Sequence, residues 1–280
     1  MIDRKIFFAY VRNAPFGGRL TRAQIAGMEA MLAAWQTHGD GDLRKLANGF
    51  AQCFRETGGR MVPVREGFAL STAGAIAALN RAWKAGRLGQ VSKPYWRDGW
   101  FGRGRIQATH LDNYKFVQQK TGLDCVGNPD VLLTEQADAK VFWPSLFEGW
   151  WTRGRHKFST YFNDTTDDPK GARRIVNGND KAALIAGYHR QFLDALQAAS
   201  GAAPSRPDEA PAGADQPDDV APEGWSLRSL WSLIFGGGFV LPFGIDNPWA
   251  FATIAVVIVV AAGFGIAWQT GWITINRRRA

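Results

Sequence analysis

Apolar residues return at intervals of three and four along most of the first two hundred positions, and no segment sustains an alternation of polar and apolar side chains. A chain patterned this way packs helices against one another and has no sheet faces to bury. Thr21 and Gln24 form a capping-box pattern, after which Ile25, Met28, Leu32 and Trp35 mark one helical face. Leu43, Leu46, Phe50, Cys53 and Phe54 repeat it. Further helices are expected over roughly 73–85, 111–120, 134–148 and 180–199, with Gly- and aromatic-rich loops at 93–107 and 150–164. The fold class is therefore mainly α, with long loops left over for function.

Charge divides the 280 residues: counting Lys and Arg against Asp and Glu, the net is +10 over 1–199, −5 over 200–224 and +3 over 225–280. The acidic, Pro- and Ala-rich stretch 200–224 predicts a solvated linker, since it has too little apolar surface to order itself. If flexible throughout, it would reach about 25–30 Å. The domain boundary is expected near Ser200. Residues 225–248 read as an interfacial or re-entrant apolar segment, because Gly236, Gly237, Gly238 and Pro242 interrupt it. Trp249 to Trp268 is an uncharged run of 20 residues with aromatic ends, the length that about 30 Å of hydrocarbon requires, and predicts a single transmembrane helix. A basic tail, 269–280, follows; Arg277, Arg278 and Arg279 predict a cytoplasmic C-terminus and a body on the wall side of a bacterial inner membrane. The N-terminal stretch has only about five consecutive apolar residues, too few for a signal-peptide core.

Two cysteines, Cys53 and Cys125, are too few for a disulfide framework, and neither has a Cys or His at metal-ligand spacing. His38, His110, His156 and His189 show no HExxH spacing. No metal and no cofactor are expected. The basic body attracts polyanions, among which anionic lipid, nucleic acid and carboxylate-bearing peptidoglycan are candidates.

Glu56 closes the second helix, where the negative end of the helix dipole disfavours its charged form and suits a general acid. Glu66 follows Arg65 in a loop that also holds Arg60; neighbouring cations favour its ionised form and suit a general base. Such a pair can cleave a glycosidic bond, with inversion if roughly 6.5–9.5 Å separates the carboxyls. The stretch FGRGRIQATHLDNY, 101–114, has the glycines of a phosphate loop, but Gln107 stands where GxGxxG needs its third glycine and no strand pattern precedes it. Dinucleotide binding is disfavoured. Gln107, Thr109 and Asn113 instead offer neutral donors and acceptors for sugar groups or a water, or else simply cap a helix. Tyr95, Trp96, Trp100, Tyr161 and Phe162 could stack on sugar rings or anchor loops.

Three elements together resemble the glycoside hydrolase family 19 chitinases, and more closely their lysozyme-like relatives among phage and prophage endolysins. They are RETGGRMVPVRE, carrying Glu56 and Glu66; FGRGRIQATHLDNY, similar to Y-G-R-G-x-I-Q-L-[ST]-x-x-x-N-Y; and ARRIVNG at 172–178. They lie in order within about 45–200. The resemblance implies a two-lobed lysozyme-like fold over 1–199 and inverting hydrolysis of β-1,4-linked amino-sugar chains, in peptidoglycan or in chitin. By position, Glu56 matches the general acid, Glu66 the general base and Thr109 the hydroxyl that helps hold water. Arg103, Gln107, Asn113, Tyr114 and Asn177 match cleft positions that position the domain or contact sugar, and Trp100 is a further candidate for substrate contact. Arg55, Phe101 and Ala108 depart from the family's usual His, Tyr and Leu, and its plant members' cystine pattern is absent. A wall-binding protein without catalysis is the alternative from another class; nucleic-acid binding is not expected.

Overall fold

The computed structural model describes residues 2–89, 91, 93–201 and 213–218. Its described part is mainly helical, consistent with a lysozyme-like α fold. Helix α2 (Arg22–His38) starts as the sequence predicts: Thr21 accepts from the Gln24 N–H while the Gln24 side chain accepts from the Thr21 N–H, completing the capping box. Ile25, Met28, Leu32 and Trp35 are buried. Helix α3 (Leu43–Glu56) follows, capped by Asp42, with Leu46, Phe50 and Cys53 wholly buried.

Helix α1 (Arg4–Asn13) was not foreseen: Asp3 caps it, Phe7, Phe8 and Val11 are buried, and the Asp3 N–H donates to the Ala199 carbonyl of α9 (Ala182–Ser200). Three other helices fall close to their expected places, α4 (Thr72–Lys84), α5 (Leu111–Thr121) and α6 (Glu135–Glu148), and two single turns, α7 (Phe158–Tyr161) and α8 (Arg174–Asn177), lie in the later loops. The main core is aromatic, gathered from α1, α2, α3, α6 and α9; Phe50 stacks on Phe192 with ring centres 5.3 Å apart. Gly49 lets α3 and α6 close on each other, since a Cβ there would come within 2.1 Å of the Trp143 ring. Separate small cores lie around Tyr114, Val141 and Trp150, and around Leu79, Trp96 and Phe101. Cys53 and Cys125 belong to different cores and are both free thiols, each pushed up by burial, to about 12 and about 11.

Two features go beyond the sequence pattern. A short antiparallel pair exists, β1 (Val64–Arg65) with β2 (Arg103–Gly104), Val64 opposite Gly104 and Arg65 opposite Arg103; two-residue strands are too short to show a period of two. The acidic stretch is not solvated along its whole length either. Arg12 donates to Asp218 (3.1 Å) and to the carbonyls of Ala214 and Gln216 (2.6 Å each), and Asp218 also takes the Leu20 N–H (2.6 Å). Hydrogen bonds to a distant cation, with Ala214 buried, thus hold 213–218 in place. Among the described residues no helix is long and apolar enough to cross a membrane. The apolar segment 225–248, the proposed span 249–268 and the tail 269–280 lie outside the described residues.

His189 of α9 is 2% exposed, stacks on Phe162, and its Nδ1 has no hydrogen-bond partner among the described residues. Burial pushes its pKa down to about 4; Asp42 opposes this, while Arg190 and Arg44 add to it. The unfolded chain therefore takes up this proton near pH 6.5 and the folded one only near pH 4. Protonation of this group costs nothing above pH 6.5, and stability falls by about 3 kcal/mol as pH drops through that window. Asp42 and Asp130, both held below the usual carboxylate range, begin to lose their contribution only below their ordinary value of 3.8. Urea midpoints should thus decline between pH 6.5 and 4.5 in the parent chain and stay nearly level in His189→Leu; parallel declines would remove His189 as the cause.

Candidate active site

Glu66 opens a 3₁₀ turn, Glu66–Phe68, directly after β1. Its main chain is fixed by donating to the Gly102 carbonyl (2.7 Å), and its side chain accepts from the Gly102 N–H at Oε2 (2.8 Å) and from the Tyr95 hydroxyl at Oε1 (2.9 Å). Burial and the adjacent Glu66 charge push the Tyr95 phenol up, so it stays protonated and donates. A carboxylate has roughly four acceptor positions, so about two remain for a water. The cations expected beside Glu66 are turned elsewhere. Arg65 donates to Asp130 (2.7 Å) and to the Leu70 carbonyl, and Arg60 lies over the Phe68 ring, 4.0 Å from its centre.

Gln107, with a left-handed φ of 55°, spans this region by donating from Nε2 to the carbonyls of Val64 (3.0 Å) and Gly104 (2.7 Å). Thr109 Oγ1 donates to the Gln107 carbonyl (2.7 Å), and Asn113 Nδ2 donates to the Thr109 carbonyl (2.8 Å) at the start of α5. All three side chains are partly exposed. Hydrogen bonds therefore chain Asn113 to Thr109 and Thr109 to Gln107, and Gln107 reaches Val64, two residues before Glu66.

Glu56 ends α3. Arg173, 2% exposed, donates to Glu56 Oε1 at 2.6 Å and to Gln52 Oε1 at 2.8 Å, and its Nε donates to the Asp180 carbonyl at 3.1 Å. The sequence reading had only the dipole end beside Glu56; the structure adds a buried guanidinium, which works against the dipole argument for an acid at this position. Gln52 lies one turn earlier on the same helix face, which is why one arginine reaches both. Phe68 joins the two carboxylate mounts. Its ring lies against Gly58, where a Cβ would come within 2.8 Å of Phe68 Cζ; Gly58 is two residues after Glu56, and Phe68 two after Glu66.

Burial separates the motif residues that brace the loop from those with surface to offer. Arg103 is 2% exposed and donates to Asp130 (2.7 Å), the Gly99 carbonyl (2.7 Å) and the Tyr114 hydroxyl (2.8 Å). Tyr114 is fully buried and donates to the Phe101 carbonyl (2.6 Å). Neither has surface to offer a sugar; they brace the loop. Burial works against the Asp130 charge, but hydrogen bonds from Arg65 and Arg103 prevail and hold its carboxyl low. Trp96, Tyr161 and Phe162 are core residues. Trp100 is half-buried, edge-on to Tyr114 at 5.3 Å, and Asn177 is exposed at the end of α8. Phe101 and Ala108 are buried and pack beneath the loop. Sequence reasoning assigned no role to Arg173 or Gln52 and offered Tyr95 as a stacking residue or a loop anchor, not as a donor to Glu66. Arg173 stood in the quoted ARRIVNG run, and the i, i+4 spacing of Gln52 and Glu56 was the available signal.

Two rice chitinases resemble this chain. Chitinase 8 of Oryza sativa subsp. japonica is 30% identical over 133 residues, covering 40% of this chain and 48% of its own. Chitinase 11 of the same plant is 27% identical over 184 residues, covering 56% and 64%. The chain thus spans about half to two thirds of the length of these relatives. No family model and no solved structure matches. The distant likeness is to a chitinase-like family and supports a glycoside-hydrolase-like chain.

Proposed function

We propose that the chain is an inverting glycoside hydrolase that cuts β-1,4-linked amino-sugar chains of peptidoglycan. The observation that carries this reading is the mounting of Glu56 and Glu66 on touching segments, one carboxylate on a buried guanidinium and the other on a phenol and a backbone N–H. Glu56 gives its proton to the glycosidic oxygen as the C1–O bond breaks. Glu66 takes a proton from water, whose oxygen bonds C1 on the opposite face. The released sugar carries the inverted anomeric configuration, Glu56 is left ionised and Glu66 protonated, and solvent exchanges the proton between turnovers.

Thr109 suits the water. Its hydroxyl proton is committed to the Gln107 carbonyl, so towards solvent its oxygen only accepts. A water that donates one hydrogen to Thr109 and the other to Glu66 keeps a lone pair for C1.

The +10 charge of residues 1–199 favours a glycan bearing carboxylates over a neutral one. Likeness to two chitinases favours the second reading, hydrolysis of poly-N-acetylglucosamine. The two separate by experiment: clearing of outer-membrane-permeabilised bacteria is measured beside cleavage of chitooligosaccharides, with NMR of the first-formed anomer. We expect faster clearing and an α-anomeric product. Activity on chitooligosaccharides alone would remove the peptidoglycan assignment, and a first-formed β-anomer would remove inversion.

A further inference from the structure

A cavity of about 700 Å³ opens beside the 3₁₀ turn Gly171–Arg173, α8 and the first turn of α9. Lys170, Arg174 and Lys181 line it, with Ala182 and Leu184 as apolar floor and Asn179 accepting from Arg174 Nε at 3.0 Å. Among the described residues no carboxylate forms an ion pair with any of these three cations. The lining's own carboxylate, Asp168, accepts the Gly171 N–H at 2.7 Å. Three like charges collected round one depression repel one another, and an anion placed among them relieves that repulsion. Adjacent residues of the chain use their charge differently: Arg173 faces inward and holds Glu56, whereas Arg174 lines the cavity. A ligand held there lies one residue from the guanidinium that mounts the candidate acid.

We propose that this cavity binds a carboxylate of the peptide stem on the peptidoglycan strand, and that it distinguishes wall glycan from neutral chitin. The proposal rests on the hydrolase reading above, but its test does not require turnover. A cavity of this size accepts a short peptide segment. Charge-assisted hydrogen bonds to a carboxylate supply affinity that a neutral glycan cannot draw on.

The test is calorimetric titration of the full chain carrying Glu56→Gln, so that no ligand is consumed. One probe is a disaccharide–tetrapeptide muropeptide and the other the neutral tetramer of N-acetylglucosamine. Adding Arg174→Gln with Lys181→Gln should weaken muropeptide binding about tenfold or more and flatten its salt dependence, while leaving the neutral tetramer's affinity unchanged. Arg174→Lys with Lys181→Arg should retain most of the affinity, which separates lost charge from lost folding. Three results would each overturn the proposal: no muropeptide binding by the Glu56→Gln chain, unchanged affinity in the Gln pair, or an equal loss for the neutral tetramer. Failure of the hydrolase reading shows elsewhere, as absence of turnover by the parent chain on both glycans, and leaves the binding comparison interpretable.

Discussion

Glu56→Gln should lower glycan hydrolysis by about 10²–10⁴-fold, the range that a positioned acid contributes. The amide keeps the shape of the side chain and an oxygen for Arg173 to reach, so the mount survives while the transferable proton does not. It also weakens the contact to a guanidinium that is 2% exposed. Leaving that partner under-satisfied costs on the order of 1–3 kcal/mol. Rates should therefore be read well below the thermal transition, with circular dichroism verifying that both proteins are folded. Under those conditions glycan binding should persist and turnover should not. A variant that keeps its rate within tenfold of the parent would transfer the acid role elsewhere; a parent with no turnover that still binds wall glycan would favour the non-catalytic alternative.

What could be read in advance divides along the distance over which each feature is determined. The start of α2 was legible because its capping box closes within four residues, and α3 because its apolar stripe repeats over three turns. Helix α1 was not, since Phe7, Phe8 and Val11 give only one short face whose burial depends on α9 at the far end of the body. The docked segment 213–218 escaped for a similar reason: composition describes what a stretch can bury, and this one is held by hydrogen bonds to Arg12, some 200 positions away. In the candidate site, motif and position singled out Glu56, Glu66 and Thr109. Their partners were invisible, because Arg173 lies 117 residues from Glu56 and Tyr95 lies 29 from Glu66. Whether Arg103 and Tyr114 position the loop or meet sugar was open in the sequence, because a motif does not say which of its polar residues face inward.

Arg105 shows how an inward-facing motif residue can matter to the site without touching it, and its removal should give the largest loss of stability. It is 2% exposed and donates from Nε to the Met61 carbonyl (2.9 Å), from one terminal nitrogen to Asp138 (2.6 Å), and from the other to the Gly27 carbonyl (3.2 Å) and both Glu135 oxygens (2.8 and 2.7 Å). Arg105→Met leaves Asp138, itself 4% exposed at the side chain, as a buried charge without its cation, which costs about 3–5 kcal/mol. Adding Asp138→Leu should recover part of that loss, since removing both charges is far milder than removing one. Recovery should stay incomplete, because Asp138 Oδ1 also receives the Arg105 backbone N–H (2.9 Å), which the double variant orphans. Denaturant unfolding of the two single variants and the double variant gives the coupling directly, and strictly additive losses would refute the pairing. The Met61 contact carries the consequence for function: it ties the loop between Glu56 and Glu66 to α2 and α6. The double variant, though partly restored in stability, should still cleave glycan more slowly than its melting temperature alone accounts for, because the loop that spaces the two carboxylates has lost its anchor.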